Sequence, residues 1–313
     1  MVTQPEGTPS LRKISRSSGP IGSQPIWILP ATVWMSLFFL VPLALVVAVS
    51  FCTRGPHGGV VFELTTVNFV RAFDPLYLRI YWISIQFAFL TTVLCLVIGF
   101  PTAWMMATAS NAWRRGAVVL VMVPFLTNFI IRAYGIKILL GRHGPLNRLM
   151  MLIGMVTEPM SMTDSGTAVW FGMVTNYLPF MILPLFTALE KFDFRLLEAA
   201  ADLGARGTTA FVKIVVPLLA RPALAGMTLV FIPAFGEFII PDFLGGARQM
   251  LIGNLLTEQF LKARDWPFGS AIALVMFAVV FLLGSILALI GRQSSHGKSR
   301  EAHAVPLLTG GVP

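Results

Sequence analysis

Six apolar stretches, each long enough to cross a lipid bilayer, account for nearly half of this chain. They run over Ile26–Phe51, Ile83–Met106, Ala117–Leu140, Gly166–Leu189, Ala223–Leu244 and Phe268–Ile290. A helix crosses the hydrocarbon core in about 20 residues, and that core offers no water to satisfy exposed backbone groups. Each stretch is therefore predicted to be a transmembrane helix. Charge is scarce to match: 12% of the 313 residues are charged and 56% are hydrophobic, against roughly 25% charged in soluble domains. So little charge cannot cover a water-soluble globule, and so apolar a chain cannot stay disordered. The first stretch is too long for a signal-peptide core and no small-residue cleavage site follows it, so it is read as an anchor. Residues 1–25, rich in Ser, Gly and Pro, are predicted to be a disordered tail. Residues 26–291 form the six-span domain and 292–313 a flexible tail.

The net charge is +9. The basic residues flank the apolar runs rather than cluster, which points to membrane lipid and away from nucleic acid. Cys52 and Cys95 read as small apolar fillers, and His57, His143, His296 and His303 lie outside the spans. Neither set makes a disulfide framework or a metal site. With the N-terminus inside, thirteen Lys and Arg fall in the inner segments against eight in the outer ones. The positive-inside rule then puts both termini in the cytoplasm. Pro101, Pro124, Pro179, Pro184 and Pro233 stand inside spans. Each removes a helix hydrogen bond, which lipid tolerates only where protein or a wet cavity re-satisfies the freed carbonyl. Such breaks favour a transport pathway, kinked packing without a pathway being the plainer alternative.

The segment between the fourth and fifth spans, residues 192–222, does not read as a loop. Leu196, Ala200 and Leu203 recur at helical spacing on one face. Arg195, Glu198 and Asp202 lie opposite, spaced to pair. Gly204 suits a left-handed helix end. Thr208 or Thr209 can cap a second helix carrying Phe211, Ile214, Val215 and Leu218, disturbed by Pro217. Two short amphipathic helices lie under the bilayer on this reading, and the pattern alone fits a pair resting on lipid equally well.

Glu198-Ala199-Ala200, then Gly204 after three residues, Ile214 after nine more, and Val216-Pro217 resemble the EAA signature of ABC importer permeases. Val216 stands where the signature has Leu. The resemblance covers about residues 25–292. It implies an all-α, polytopic membrane helix bundle of six transmembrane helices with a cytoplasmic coupling-helix loop, the type I ABC importer permease fold. Glu198, Ala199, Ala200, Gly204, Ile214 and Pro217 would couple the chain to a separate ABC ATPase dimer. A second homologous permease subunit and a periplasmic solute-binding protein would complete the assembly in the bacterial inner membrane. The partner ATPase would use ATP, while this chain would bind no cofactor and catalyse no covalent chemistry. Its one P-loop look-alike fails, because five residues separate Gly291 from Gly297-Lys298-Ser299 where the motif allows four.

Residues 229–267, with Asp74-Pro75-Leu76-Tyr77 and Ile131-Arg132-Ala133-Tyr134, resemble permeases of the spermidine/putrescine importer family. The resemblance implies a polyamine, while related permeases serve opines and other small cations. Glu237 argues independently, since an ionisable group in an apolar run is by default functional. It lies four residues from both Pro233 and Pro241, which free the carbonyls of Leu229 and of Glu237 itself. A carboxylate in a broken helix suits a passing cation. Phe235, Phe238, Tyr134 and Tyr177 offer aromatic faces to an ammonium, each worth about 0.5–2 kcal/mol, and Asp242 would draw it in. The structural alternative is a salt bridge from Glu237 to Arg132 or Lys137. An ion-coupled secondary transporter could use those three charges as a relay and would need no ATPase. An intramembrane enzyme finds no His pair, paired aspartates or GxSxG in the spans. Residues His143–Met155 are predicted to hold a short amphipathic outer helix.

Overall fold

The computed structural model describes residues 24–246 and 249–302. Contacts divide the chain into residues 1–48 and 49–313. The described part of the first unit belongs to α1 (Gln24–Ser50), whose Leu29, Trp34, Met35, Phe38 and Leu45 are all exposed. A helix apolar on every side is at home in lipid. The predicted tail over residues 1–25 lies almost wholly outside the described residues.

The second unit opens with a two-residue ribbon, β1 (Thr53–Arg54) antiparallel to β2 (Val60–Val61). Gly58 and Gly59 turn it at φ +86° and +87°, a region open to glycine without cost. After the short α2 (Val67–Ala72), Asp74 caps α3 (Pro75–Thr108) by accepting from the Leu76 N–H at 2.9 Å. Helices α3, α7 (Gly166–Glu190) and α10 (Val216–Phe235) form the tightest core. Small residues permit it. Met181 of α7 is fully buried and fills the space beside Gly99 of α3 and Gly226 of α10. A Cβ added at those glycines would come within 3.0 and 2.9 Å of its side chain. Lipid supplies no hydrophobic drive between helices, so close packing of this kind must hold them. The Tyr81 hydroxyl ties α3 to α13 (Trp266–Ala302) by donating to the Ile272 carbonyl at 2.9 Å. Cys52 and Cys95 are both buried, as fillers should be, and form no disulfide among the described residues.

Among the described residues, five helices are long and apolar enough to cross a membrane, or six when one bent pair counts as a single span. That pair corrects the expectation of a continuous third span. α4 (Asn111–Leu126) and α5 (Phe129–Leu140) are separate, and the segments Asn111–Pro124 and Phe129–Leu152 meet at 94°. Asn128 makes the restart, its Oδ1 accepting from the Ile130 N–H at 2.9 Å. The Pro124 carbonyl left at the end of α4 receives Thr127 Oγ1 at 2.9 Å and Arg132 Nη1 at 2.6 Å. The break is thus stapled rather than loose. The predicted outer helix is α6 (Pro145–Leu152).

Two further expectations change. The fifth span stops at Phe235 rather than running to Leu244, and a separate α11 (Ile239–Leu244) follows. Beyond it, α12 (Ile252–Thr257) continues as a π turn over Glu258–Lys262. α13 reaches Ala302, so the flexible tail expected from residue 292 is helical to that point, and residues 303–313 lie outside the described ones.

At the far end of α13, Asp265 is 1% exposed. Its Oδ2 accepts from Arg71 Nη1 at 2.8 Å and its Oδ1 from the Phe268 N–H at 3.3 Å. The Arg71 guanidinium lies 3.8 Å from the Phe268 ring centroid. Burial opposes charge on Arg71, but the hydrogen bonds and charge of its neighbours, Asp265 foremost, hold it above its ordinary value. Asp265→Ala strands these groups at about 1–3 kcal/mol and should lower the thermal midpoint of the purified protein. Arg71→Lys, which keeps the charge and loses the planar stack, should lower it less.

Candidate functional site

The segment between the fourth and fifth spans begins where α7 ends. Glu190 pairs with Arg114 at 3.4 Å. Phe194 packs edge-on to Trp104 at 5.4 Å and Phe211 to Phe100 at 5.5 Å, so rings of the second span seat the segment from both ends. Asp193 Oδ1 accepts from the Arg195 N–H at 3.1 Å and starts α8 (Arg195–Asp202). No residue of α8 is buried. Its end is a Schellman closure: the Ala205 N–H reaches the Ala200 carbonyl at 2.9 Å and the Gly204 N–H that of Ala201 at 2.8 Å. Gly204 holds φ +80°, as the sequence predicts.

Glu198, Ala199 and Gly204 are exposed on this helix, Ala200 is half-buried, and Leu203 beside them is 89% exposed. Arg195, Glu198 and Asp202 form no ion pair among the described residues. The expected second helix is not a separate element. α9 (Gly207–Ala210) passes through a π turn at Phe211–Val215 into α10, making one span over Gly207–Phe235. Arg206 precedes it, and neither Thr208 nor Thr209 caps it. Pro217 stands inside this continuous run, two residues after the π turn ends at Val215, and its ring removes one helix hydrogen bond there. Ile214 is half-buried on the π turn.

At the other end of α10 the chain breaks at Gly236, and Glu237 occupies the break. It is 6% exposed. Its Oε1 accepts from the N–H groups of Phe238, Ile239 and Ile240 at 3.0, 2.9 and 3.3 Å, and its Oε2 from the Tyr177 hydroxyl. The expected bridge to Arg132 or Lys137 is not formed. Arg132 Nη1 donates to the Pro124 carbonyl, and Lys137 Nζ lies 5.9 Å from the Phe243 ring centroid. Glu237 is therefore an internal cap that starts α11, which no apolar-run reading could show. Gly253, unnoticed in the sequence, packs α12 against the break: a Cβ there would overlap the Gly236 carbonyl oxygen and come within 2.8 Å of that of Glu237. Ser84 Oγ of α3 holds the same segment by accepting from the Ile252 N–H at 2.8 Å.

The other residues proposed for a pathway do not converge. Phe235 is fully buried and stacks on Phe231 at 6.1 Å. Tyr134 is half exposed against Phe243 at 4.7 Å. Phe238 and Asp242 line a separate open cavity of about 340 Å³ with Asn254, Glu258 and Lys262. There Lys262 Nζ meets Glu258 Oε2 at 2.9 Å. The hydrogen bond and charge of Glu258 raise the Lys262 ammonium above its ordinary range, with Asp242 adding to it. Arg132 Nε and Asn176 Oδ1 are buried without hydrogen-bond partners among the described residues, and both residues line a small gap with Gly172 and Ile240.

Comparison with known proteins places these features. The binding-protein-dependent transport system inner membrane component family matches residues 95–295. The chain is 42% identical to the spermidine/putrescine transport system permease protein PotB of Haemophilus influenzae, over 80% of this chain and 87% of that one. It is 40% identical to PotB of Escherichia coli K12, over 80% and 91%. A solved bacterial ABC transporter that imports the acidic polysaccharide alginate superposes with a TM-score of 0.67 at 16% identity, covering 86% of this chain and 95% of that one. This last likeness concerns the fold.

Proposed function

The chain belongs to the binding-protein-dependent transport system inner membrane component family, and on that premise we propose that it is a permease subunit of an ATP-driven polyamine importer. The observation that carries the solute is identity of 40–42% to PotB over 80% of the chain. The same fold serves an alginate importer at 16% identity, so the fold by itself names no solute. Another small cation or an opine-like solute is the second reading, because Asp242 and Glu258 in the open cavity would suit any ammonium.

In this proposal α8 docks on an ATPase dimer through Glu198, Ala199, Ala200 and Gly204, with Ile214 and Pro217 behind them. The ATPase hydrolyses ATP. A second, homologous permease encloses the route, and a periplasmic binding protein delivers the solute. Both termini face the cytoplasm. The exposed face of α8 supports the docking role, since none of its residues is buried and its charged residues form no ion pair among the described residues. Uptake of radiolabelled spermidine and putrescine by cells lacking this gene, with and without complementation, tests the proposal. Uptake should fall with loss of the chain, the ATPase or the binding protein. Uptake that survives loss of the ATPase but collapses with the ion gradient would establish a secondary transporter instead.

A further inference from the structure

The cavity beyond the broken fifth span, at the end away from α8, is more than a solvated dip. Phe238, the residue after Glu237, lines it, and Asn254 Nδ2 donates to the Phe238 carbonyl at 2.9 Å. Phe238 and Pro241 present apolar surface, and Asp242 and Glu258 present carboxylates. The Asp242 carboxylate has no hydrogen-bond or ion-pair partner among the described residues, whereas Glu258 holds Lys262 at 2.9 Å. Lys262 thus brings a primary alkylammonium, carried on a methylene chain, to a cavity whose lining includes two carboxylates and an aromatic ring. Each end of a polyamine has that same chemistry. A seat that accepts one accepts the other.

Resting on the polyamine reading above, we propose that this cavity binds a primary ammonium group of the solute, and that Lys262 is its resident occupant, displaced on entry. The exchange conserves charge, one ammonium leaving Glu258 as another arrives. It is also cheap. The Lys262 and Glu258 side chains are 71% and 39% exposed, and exposed ion pairs contribute about 0–1 kcal/mol. A freed Lys262 has open solvent to swing into. Asp242 is the second anchor, and the half-exposed Phe238 offers a ring face to the incoming cation. Lys262 is therefore a built-in competitor that keeps the seat from holding its cargo too tightly, which onward transfer requires.

Equilibrium dialysis of radiolabelled spermidine against the purified importer complex, with no binding protein present, tests this. Asp242→Asn and Glu258→Gln should each weaken binding about tenfold, equivalent to about 1.4 kcal/mol. Lys262→Met should tighten it severalfold, because the competitor is gone. Opposite signs for Glu258→Gln and Lys262→Met are the signature. A bridge that merely shapes the cavity is broken equally by both changes, so shifts of the same sign, or no shift in Lys262→Met, overturn the proposal. Retention of binding protein on the immobilised complex is read in parallel. Altered retention with unchanged spermidine binding makes the surface a protein dock and also overturns it. Uptake by the unaltered complex in proteoliposomes separates the two readings. Transport of polyamine with binding indifferent to all three residues sinks the site alone, whereas no transport of polyamine sinks the importer reading as well.

Discussion

Glu237→Ala should abolish assembly of the transport complex, and Glu237→Gln should preserve it along with most uptake. The alanine strands the N–H groups of Phe238, Ile239 and Ile240 and the hydroxyl of Tyr177 at a buried site. Each such loss costs about 1–3 kcal/mol. Four of them consume much of the roughly 5–15 kcal/mol that keeps a typical domain folded. Glutamine keeps an oxygen for the three N–H groups and turns its amide toward Tyr177, whose oxygen can accept. Yield of monodisperse complex by size exclusion reads the first effect, and labelled spermidine uptake the second. Full assembly with lost uptake in Glu237→Gln would return the carboxylate to the cation route.

Leu203→Glu should strip the ATPase from the purified complex and stop uptake. This side chain is 89% exposed beside the Gly204 turn, an apolar group left uncovered by the described residues. Anchors of this sort at the centre of an interface cost about 2 kcal/mol or more when lost, a weakening of about thirtyfold. A buried carboxylate adds a desolvation penalty. α8 itself should fold as before, since Leu203 makes no core contact. The ratio of ATPase to permease after affinity purification measures it, and an unchanged ratio with normal uptake would place the docking surface elsewhere.

Much of this was legible in advance, for reasons particular residues make plain. Apolar runs declare themselves by length, and the Leu196, Ala200, Leu203 spacing with Gly204 describes α8 and its closure. The breaks did not declare themselves. Pro124 reads as a kink, yet the turn of 94° is made by Asn128 acting as a cap inside an apolar run, and hydropathy does not register a cap. Glu237 reads as a stray charge because its partners are its own next three N–H groups. The pairing of Glu237 with Arg132 or Lys137 failed for another reason. Which charges meet depends on how each helix is rotated, and Arg132 turns back to the Pro124 carbonyl. Glu258 and Lys262 drew no notice because a helical i,i+4 pair is ordinary on any surface.

The run from Gly207 to Phe235 carries no separate hinge, and this has a mechanical consequence. At about 1.5 Å per residue, its 29 residues make a strut about 40 Å long, with Pro222 and Pro233 as the places where it can flex. One end adjoins the turn after α8 and the other abuts Gly236. A push delivered at Gly207 would travel to the Glu237 cap along a helix rather than a loop. If α8 docks an ATPase as proposed, its stroke would be carried by this strut to the bend beside the proposed ammonium seat.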